Sequence, residues 1–509
     1  MLDKYALVIL IALPLLVAAL FIAIPSRYID AIRRLSILSS AASLFVSVYV
    51  FVRYYFVGSD DAGLRFSQNW HWLELPGTGP LSSSGISLFI GVDGISAPMI
   101  LLTGIVMFTG VLISSGLHDH GKDFFILYFM LIAGVFGVFV SMDMFFFFFF
   151  YELAVLPMYL LIGIWGSSSS FKSFSRTKEY SAMKLVLYLV AASILIWVSL
   201  LAIFAESGLG TFSIVELSKI SFSTDFQKIF FPLLMVGFGV LAGLWPFHTW
   251  SPDGHVAAPT AVSMVHAGVL MKLGAFGILR IGLTILPEGA EFWMPVLIGL
   301  GTVNVIYGAL SAMSQSDLKY IIGYSSVSHM GYVLMGIATL HSLGMTGAIL
   351  QMFSHGIMTA AFFAAVGVIY SRTHTRDIKV LRGLASRMGI TVSIFTIAAL
   401  ASIGLPGLSG FVAELLVFLG LFATYPILGA LGIVGAGITA VYILRLLSST
   451  FFGPVEEHPA IYTDATKTEV LSMSLLAGFI LLVGLFPFPF IEVIGDGVDQ
   501  LLLHVQGAR

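Results

Sequence analysis

The stretch that decides the fold runs from Leu244 to Arg280 and reads LWPFHTWSPDGHVAAPTAVSMVHAGVLMKLGAFGILR. Its second half is apolar except for Lys272, and burying one lysine in a bilayer costs about 2.5–3.5 kcal/mol on insertion scales. Membrane proteins keep such residues mainly where they pair, titrate or line water. Pro246 and Pro252 interrupt the preceding helix. A charge beside an interrupted helix is the arrangement from which mid-membrane ion sites are built.

The composition is that of an all-α, polytopic membrane protein. The 509 residues are 58% hydrophobic and 10% charged, whereas a soluble domain carries about 25% charged residues. The net charge of −3 gives no indication of a nucleic-acid partner, so the predicted surroundings are the lipid bilayer and other membrane proteins. The absence of cysteine excludes iron–sulfur ligation by thiolates, disulfides and a cysteine nucleophile.

Fourteen hydrophobic segments predict fourteen transmembrane helices in a single domain, because about 20 apolar residues span a bilayer. The predicted spans are 4–25, 31–57, 92–115, 122–141, 143–166, 179–205, 226–250, 256–286, 293–314, 319–340, 343–371, 388–424, 426–451 and 467–494. The domain, 1–509, is predicted to divide into N-terminal helices 1–115, two five-helix runs 122–286 and 293–451, and a C-terminal helix 467–509.

Two predicted helices are interrupted. The segment 226–256 breaks near Gly243–Pro246, and the segment 388–424 breaks at Gly404–Gly407. Each is the fourth helix in its run of five. Paired broken helices in corresponding positions predict two inverted five-helix repeats with a site at each break.

The basic residues predict the orientation of the chain. Sixteen fall in the loops of one side and seven on the other, which with Lys272 accounts for all 24. The positive-inside rule makes the richer side cytoplasmic and places both termini outside. The cytoplasmic side then holds Lys319, Arg376 and Glu456, and the outer side holds Asp60, Asp496 and a polar cap over 58–91.

Few ionisable residues remain inside the predicted helices: Glu152, Lys272 and Glu414, with Lys184, His248, His266, His329 and His355. Such groups, joined by water, can pass protons across a membrane. The alternative is structural: a carboxylate or lysine that only ties helices together, or a histidine satisfied by a backbone carbonyl. His266 is the weakest candidate, because its six-residue offset puts it on a different helix face from Lys272.

Three further polar residues allow simpler interpretations. Asp143 ends a span and is predicted to be solvated. Asp253 and His255 lie in a short loop and are either a proton entry or a helix cap. The sequence contains no P-loop, no G-x-G-x-x-G motif that follows a predicted strand, and no H-E-x-x-H metal-binding pair. Nothing favours paired axial histidines for haem, although their spacing leaves them open.

Five stretches carry a resemblance: PFHTWSPDGHVAAPT, HAGVLMKLGAFGILR, SDLKYIIGYSSVSHMGYVLMGI, FSHGIMTAAFFAAVGVIYSRTHTRD and IGLPGLSGFVAELLVF. They resemble the antiporter-like proton-pumping membrane subunits of respiratory complex I over nearly the whole chain. Within that family the chain is most similar to the M-type subunit, whose counterparts are subunit 4 in mitochondria and the D-type subunit in cyanobacterial and plastid complexes. Glu414 stands where the other pump subunits usually carry lysine, and the chain ends soon after its fourteenth span.

The resemblance implies fourteen helices in two inverted five-helix repeats and a role for each buried charge. Glu152, Lys272 and Glu414 match the proton-transferring acid, central lysine and terminal residue of the family. The histidines that match its hydrated central axis are His248, His329 and His355.

The resemblance also implies partners and a location. No cofactor is expected in this chain. NADH or ferredoxin, FMN, iron–sulfur clusters and quinone are expected in partner subunits, with L-type and N-type subunits as neighbours. The expected location is a bacterial plasma membrane, or a thylakoid or other energy-transducing membrane.

The chain departs from the family at two positions. Leu241 occupies the place of the usual helix-7 lysine, and His266 occupies a usually apolar position. Glu152 therefore lacks its usual partner. Lys184 lies about six residues, about 9 Å, inside its helix, and we expect it within salt-bridge or one-water reach of Glu152, with His248 on the path to Lys272.

Two other functions stay open at this point. One is a cation/proton antiporter subunit, against which Glu414 argues. The other is a scaffold that has lost pumping because of Leu241, against which the retained Lys272 and Glu414 argue.

Overall fold

A computed structural model describes residues 2–59, 63–74, 85–116, 120–170, 175–453 and 462–507. Within these ranges thirteen helices are long and apolar enough to cross a membrane, and two shorter apolar helices together make one more span. The prediction of fourteen spans in an all-α fold is confirmed. In chain order they are Leu2–Ala23, Ser26–Val57, Ser96–Ile113, Gly121–Val140, Met144–Trp165, Lys178–Ser207, Thr224–Ala242, Thr260–Leu283, Pro287–Ser314, Leu318–Ala338, Ser342–Thr373, the pair Gly389–Ser402 and Ser409–Thr424, Pro426–Phe451, and Lys467–Leu485.

Both predicted breaks are present. The seventh span ends at Ala242, and the chain resumes a helix only over Trp250–Ala257. Gly243 takes φ +80°, and Gly404 and Gly407 in the twelfth span take +75° and +90°. Glycine reaches these left-handed conformations without the penalty of a Cβ, so it ends the helix there. The symmetry and boundaries of the two repeats stay a prediction.

The eighth span is the best-buried part of the fold. It contains two π-helical turns, His266–Leu270 and Ile278–Leu283, on either side of the α-helical segment Met271–Gly277. A methyl group at Gly274 would lie 2.6 Å from the backbone nitrogen of Ala242. The eighth span therefore packs backbone to backbone against the broken seventh span, and Lys272 lies between the π turns.

The start of the twelfth span is held by hydrogen bonds to a residue that lies about 70 positions later in the sequence. Asp464 accepts hydrogen bonds from the Ile390 amide at 2.8 Å and from the Thr391 hydroxyl at 2.6 Å, at the first residues of Gly389–Ser402. Burial alone would raise the pKa of Asp464, but these hydrogen bonds and that of the Ala465 amide hold it below its usual value.

The predicted polar cap contains an antiparallel hairpin of Arg65–Glu74 and Gly85–Val92. Asp60 and Glu456, which the predicted topology places on opposite sides of the membrane, lie outside the described residues. The region 467–509 contains two helices, Lys467–Leu485 and the amphipathic Phe488–Gly507. Pro487 separates them because the residue before a proline is pushed out of the helical conformation, and Phe486 has φ −128° and ψ 65°.

Candidate functional site

Lys272 lies at the centre of the molecule with no exposed surface. Its ammonium donates hydrogen bonds to the Ala267 carbonyl at 2.5 Å and to Nδ1 of His355 at 2.7 Å. The first π turn ends at Leu270, two residues before Lys272, and the next amide, that of Met271, donates to the His266 carbonyl five residues back. A buried ammonium needs strong acceptors, and the eighth and eleventh spans each provide one.

Three more side chains continue from Lys272. The rings of His355 and His329 lie 5.4 Å apart between centroids. His329 Nδ1 then lies 3.4 Å from Oε1 of Glu414. All four residues are at most 5% exposed. The structure thus brings together four of the predicted site residues, contributed by the eighth, eleventh, tenth and twelfth spans in that order.

Nδ1 of His329 lies close to both a hydrogen-bond donor and a hydrogen-bond acceptor. The Gln351 amide nitrogen lies 3.2 Å from Nδ1, on the same nitrogen that faces Glu414. An unprotonated Nδ1 accepts from that amide, whereas a protonated Nδ1 donates to the carboxylate. His329 Nδ1 thus lies within reach of one donor, the Gln351 amide, and one acceptor, the Glu414 carboxylate.

Glu152 lies apart from this set. It occupies the half-buried face of the fifth span, near Ser193 of the sixth. One of its oxygens, Oε1, has no hydrogen-bond partner, and among the described residues no ion pair reaches its carboxylate within 4.0 Å. Its proton-transferring role stays a prediction.

Lys184 pairs with a different acid from the one predicted. Its ammonium lies 2.8 Å from Oδ2 of Asp253, which also takes Arg176 at 3.1 Å, while Oδ1 accepts from Tyr320 at 3.0 Å. The prediction that Lys184 lies within salt-bridge or one-water reach of Glu152 is wrong for the salt bridge, since no ion pair joins the two among the described residues. The one-water alternative stays a prediction. Asp253 lies inside the helix Trp250–Ala257, so it is not a helix cap. Its buried carboxylate requires cations, and Lys184 is one of the two that reach it.

His248 lies at the break of the seventh span, 2% exposed. Neither ring nitrogen has a hydrogen-bond partner among the described residues, and the ring lies edge-on to Tyr307 with centroids 5.0 Å apart. Lys184 is close enough to act on it electrostatically. Its position on a path to Lys272 stays a prediction.

A second buried lysine was not among the candidates predicted from the sequence. Lys319, counted with the cytoplasmic loop residues, is 4% exposed. Its ammonium donates to the Ala258 carbonyl at 2.7 Å and to the Ser263 hydroxyl at 3.3 Å. The only signal in the sequence was its place two residues after Asp317, which caps the tenth span. A cap position predicts where a helix begins but not which way its first side chains point.

Asp143 was also predicted wrongly. It is completely buried, and its Oδ1 accepts from the amides of Phe145 and Phe146 at 2.9 and 3.1 Å. The loop before the fifth span bridges to the hairpin and to Ser213, so water is excluded from the cap.

Known proteins with similar sequences cover nearly the whole chain. Residues 141–439 match the family described as NADH:quinone oxidoreductase/Mrp antiporter, TM. A protein of Synechococcus elongatus named NAD(P)H-quinone oxidoreductase chain 4 1 is 37% identical over 98% of this chain and 91% of its own. The corresponding chain 4 of Gloeobacter violaceus is 34% identical over 97% and 92%.

Solved structures give the same result for the fold. A chain of respiratory complex I from Thermus thermophilus superimposes with a TM-score of 0.86 at 26% identity, covering 98% of this chain and 99% of that one. A chain of the Mrp complex from Dietzia superimposes with 0.83 at 20% identity, covering 100% and 99%. At that identity the second match speaks for the fold alone.

Proposed function

Because the chain belongs to the NADH:quinone oxidoreductase/Mrp antiporter transmembrane family, we propose that it translocates protons as a membrane subunit of a complex I-type oxidoreductase. The proposed route runs from Lys272 through His355 and His329 to Glu414. The observation that carries it is the series of contacts from the Lys272 ammonium to the Glu414 carboxylate across four spans.

Each step on the route moves one proton and its charge. The Lys272 N–H bond breaks as Nδ1 of His355 gains the proton, and His355 releases a proton from its other nitrogen, Nε2. His329 gains a proton at Nε2 and releases one from Nδ1 to Glu414. Both Nε2 atoms lack hydrogen-bond partners among the described residues, so water can join the two rings. An imidazole can carry a proton in at one nitrogen and out at the other.

Electron transfer in partner subunits would drive the route electrostatically. Two unit charges 4 Å apart interact by about 4 kcal/mol at an effective dielectric constant of 20. A change of charge at Glu152 or a neighbouring subunit would alter the proton affinity of Lys272 by an amount that falls with the distance between them. NADH or ferredoxin, FMN, iron–sulfur clusters and quinone belong to the partner subunits in this proposal, and L-type and N-type subunits are the neighbours.

The antiporter and scaffold alternatives have less support. The curated relatives of 34–37% identity are named as oxidoreductase chains, whereas the Mrp match is one of fold. Retention of the Lys272–Glu414 contacts argues against a scaffold that has lost pumping.

The test is Lys272→Ala in the assembled complex. We expect partner subunits still to co-purify, because removing a buried charge also removes its desolvation cost. We expect the number of protons translocated per electron pair to fall in proteoliposomes, and Glu414→Gln to have the same effect. Lys178→Ala, a partly exposed lysine in the first turn of the sixth span, is the matched control. A normal ratio in an assembled Lys272→Ala complex would refute the proposal.

A further inference from the structure

Two completely buried imidazoles, His255 and His266, lie beside Lys272 and take no part in the route proposed above. Their ring centroids are 4.1 Å apart with a tilt of 51°, and neither side chain is exposed. The His266 ring also stacks on Trp250 at 5.3 Å. A methyl group at Gly254 would lie 2.8 Å from Cε1 of His266. The end of the broken seventh span is therefore shaped to admit this second ring.

Most nitrogens of the pair have no partner in the protein. His255 Nε2 lies 3.0 Å from the Ser251 hydroxyl. Within the described part of the chain, Nδ1 of His255 and both nitrogens of His266 make no hydrogen bond. Buried polar groups are nearly always bonded, and exceptions mark a catalytic role or a bound water or ion. Three such atoms in two touching rings exceed what a packing role explains.

The charged and titratable groups around the pair are all basic. Lys272 acts on both rings, and Lys319 and His355 act on His255. Since like charges repel strongly in a poorly screened interior, an excess proton on the rings and one on Lys272 disfavour each other. A proton on either site therefore favours deprotonation of the other.

A chain of contacts connects the backbone carbonyl of His255 with the cytoplasmic end of the tenth span. The Lys319 ammonium lies 3.3 Å from the Ser263 hydroxyl, which donates to the His255 carbonyl at 2.8 Å. The pair thus lies between a buried lysine near the predicted cytoplasmic surface and the central lysine.

We propose that His255 and His266 form a proton-holding pair that loads Lys272 from the cytoplasmic side, an inference that rests on the proposed function. In the loading step an imidazolium N–H bond breaks and an N–H bond forms on the neutral Lys272 amine, so the positive charge moves with the proton. A proton arriving from the cytoplasmic side, the side on which Lys319 lies, then restores the imidazolium. His266 is a proton carrier in this scheme, and the glycine at 254 is its positioning residue.

The test replaces His266 in the assembled complex. His266→Phe keeps the stacking on Trp250 without the nitrogens, and His266→Gln keeps polar atoms without titration. We expect both to lower the protons translocated per electron pair to the value of Lys272→Ala. His71→Phe, on the exposed hairpin strand, is the control for a histidine-to-phenylalanine change. His255→Phe tests the pair from its other member if the His266 variants do not assemble.

The outcomes separate the two proposals. A normal ratio for His266→Phe, with a lowered ratio for Lys272→Ala, would overturn the pair and leave the proposed function standing. A lowered ratio for His266→Phe with a normal one for His266→Gln would also overturn it, because hydrogen bonding and not titration would then be what is needed. A normal ratio for Lys272→Ala would overturn both.

Discussion

Replacing Asp253 by asparagine should weaken the packing of the broken seventh span by a measurable amount. The carboxylate is 6% exposed and faces Lys184, itself 14% exposed, at 2.8 Å and Arg176, 30% exposed, at 3.1 Å. Removing one partner of a buried ion pair costs about 3–5 kcal/mol, because the opposite charge stays buried without compensation. Water screens part of the loss at the more exposed arginine. We therefore expect Asp253→Asn to lower the free energy of unfolding by about 3 kcal/mol.

The assay is a double-mutant cycle on the thermal stability of the purified complex. Lys184→Ala leaves Asp253 with its arginine and its tyrosine, so we expect a smaller loss, about 1–2 kcal/mol. The double mutant should be no less stable than Asp253→Asn, because contacting residues couple. Lys178 has no carboxylate partner among the described residues. The effect of Lys178→Ala on stability should therefore simply add to that of Asp253→Asn. Additive losses for 184 and 253, or coupling of 184 with Glu152, would refute this assignment of the ion pair.

Three other outcomes follow from the structure. The pKa of Asp464 is lowered in the folded protein, so this carboxylate stabilises the fold fully at pH values above its pKa in the unfolded chain, about 3.9. The stabilisation is lost as the pH falls through the lower pKa of the folded state. Asp464→Ala should abolish that acid dependence of the thermal midpoint. Arg280→Ala should cost about 3–5 kcal/mol, because it leaves the buried Asp93 carboxylate without its two 2.7 Å contacts, and Arg280→Met with Asp93→Leu should recover most of the midpoint. Cysteines placed at 71 and 379, both exposed, should react with an impermeant reagent from opposite sides of the membrane; labelling from one side would contradict the predicted topology.

The spans and their breaks could be predicted because each depends on local chemistry. Runs of apolar residues predict depth in the bilayer, and Gly404 and Gly407 take the left-handed conformations that end a helix. The candidates Lys272, His329, His355 and Glu414 could be selected because a titratable residue in an apolar helix is expensive. Their contacts could not be predicted, since they connect four different spans.

Residues near the ends of spans were predicted less well. Asp143, Lys184 and Lys319 lie close to predicted boundaries, where hydropathy gives a residue's depth but not its neighbours. Whether such a side chain meets water depends on the helix packed beside it. For Lys319 that neighbour is the end of a helix only eight residues long, Trp250–Ala257, whose free carbonyls bind cations. The hydropathy pattern of a single helix does not show which other segment packs beside it.

The two π turns of the eighth span set the direction in which its lysine points. A π turn holds one residue more than an α-helical turn, so each shifts everything beyond it by about 100° around the helix axis. Met271–Gly277 has one such rotation on each side. If the extra residue of one turn moved along the helix, Lys272 would turn away from His355 while both ends of the span stayed fixed. The direction of the central lysine thus depends on where the backbone of the eighth span places these two extra residues.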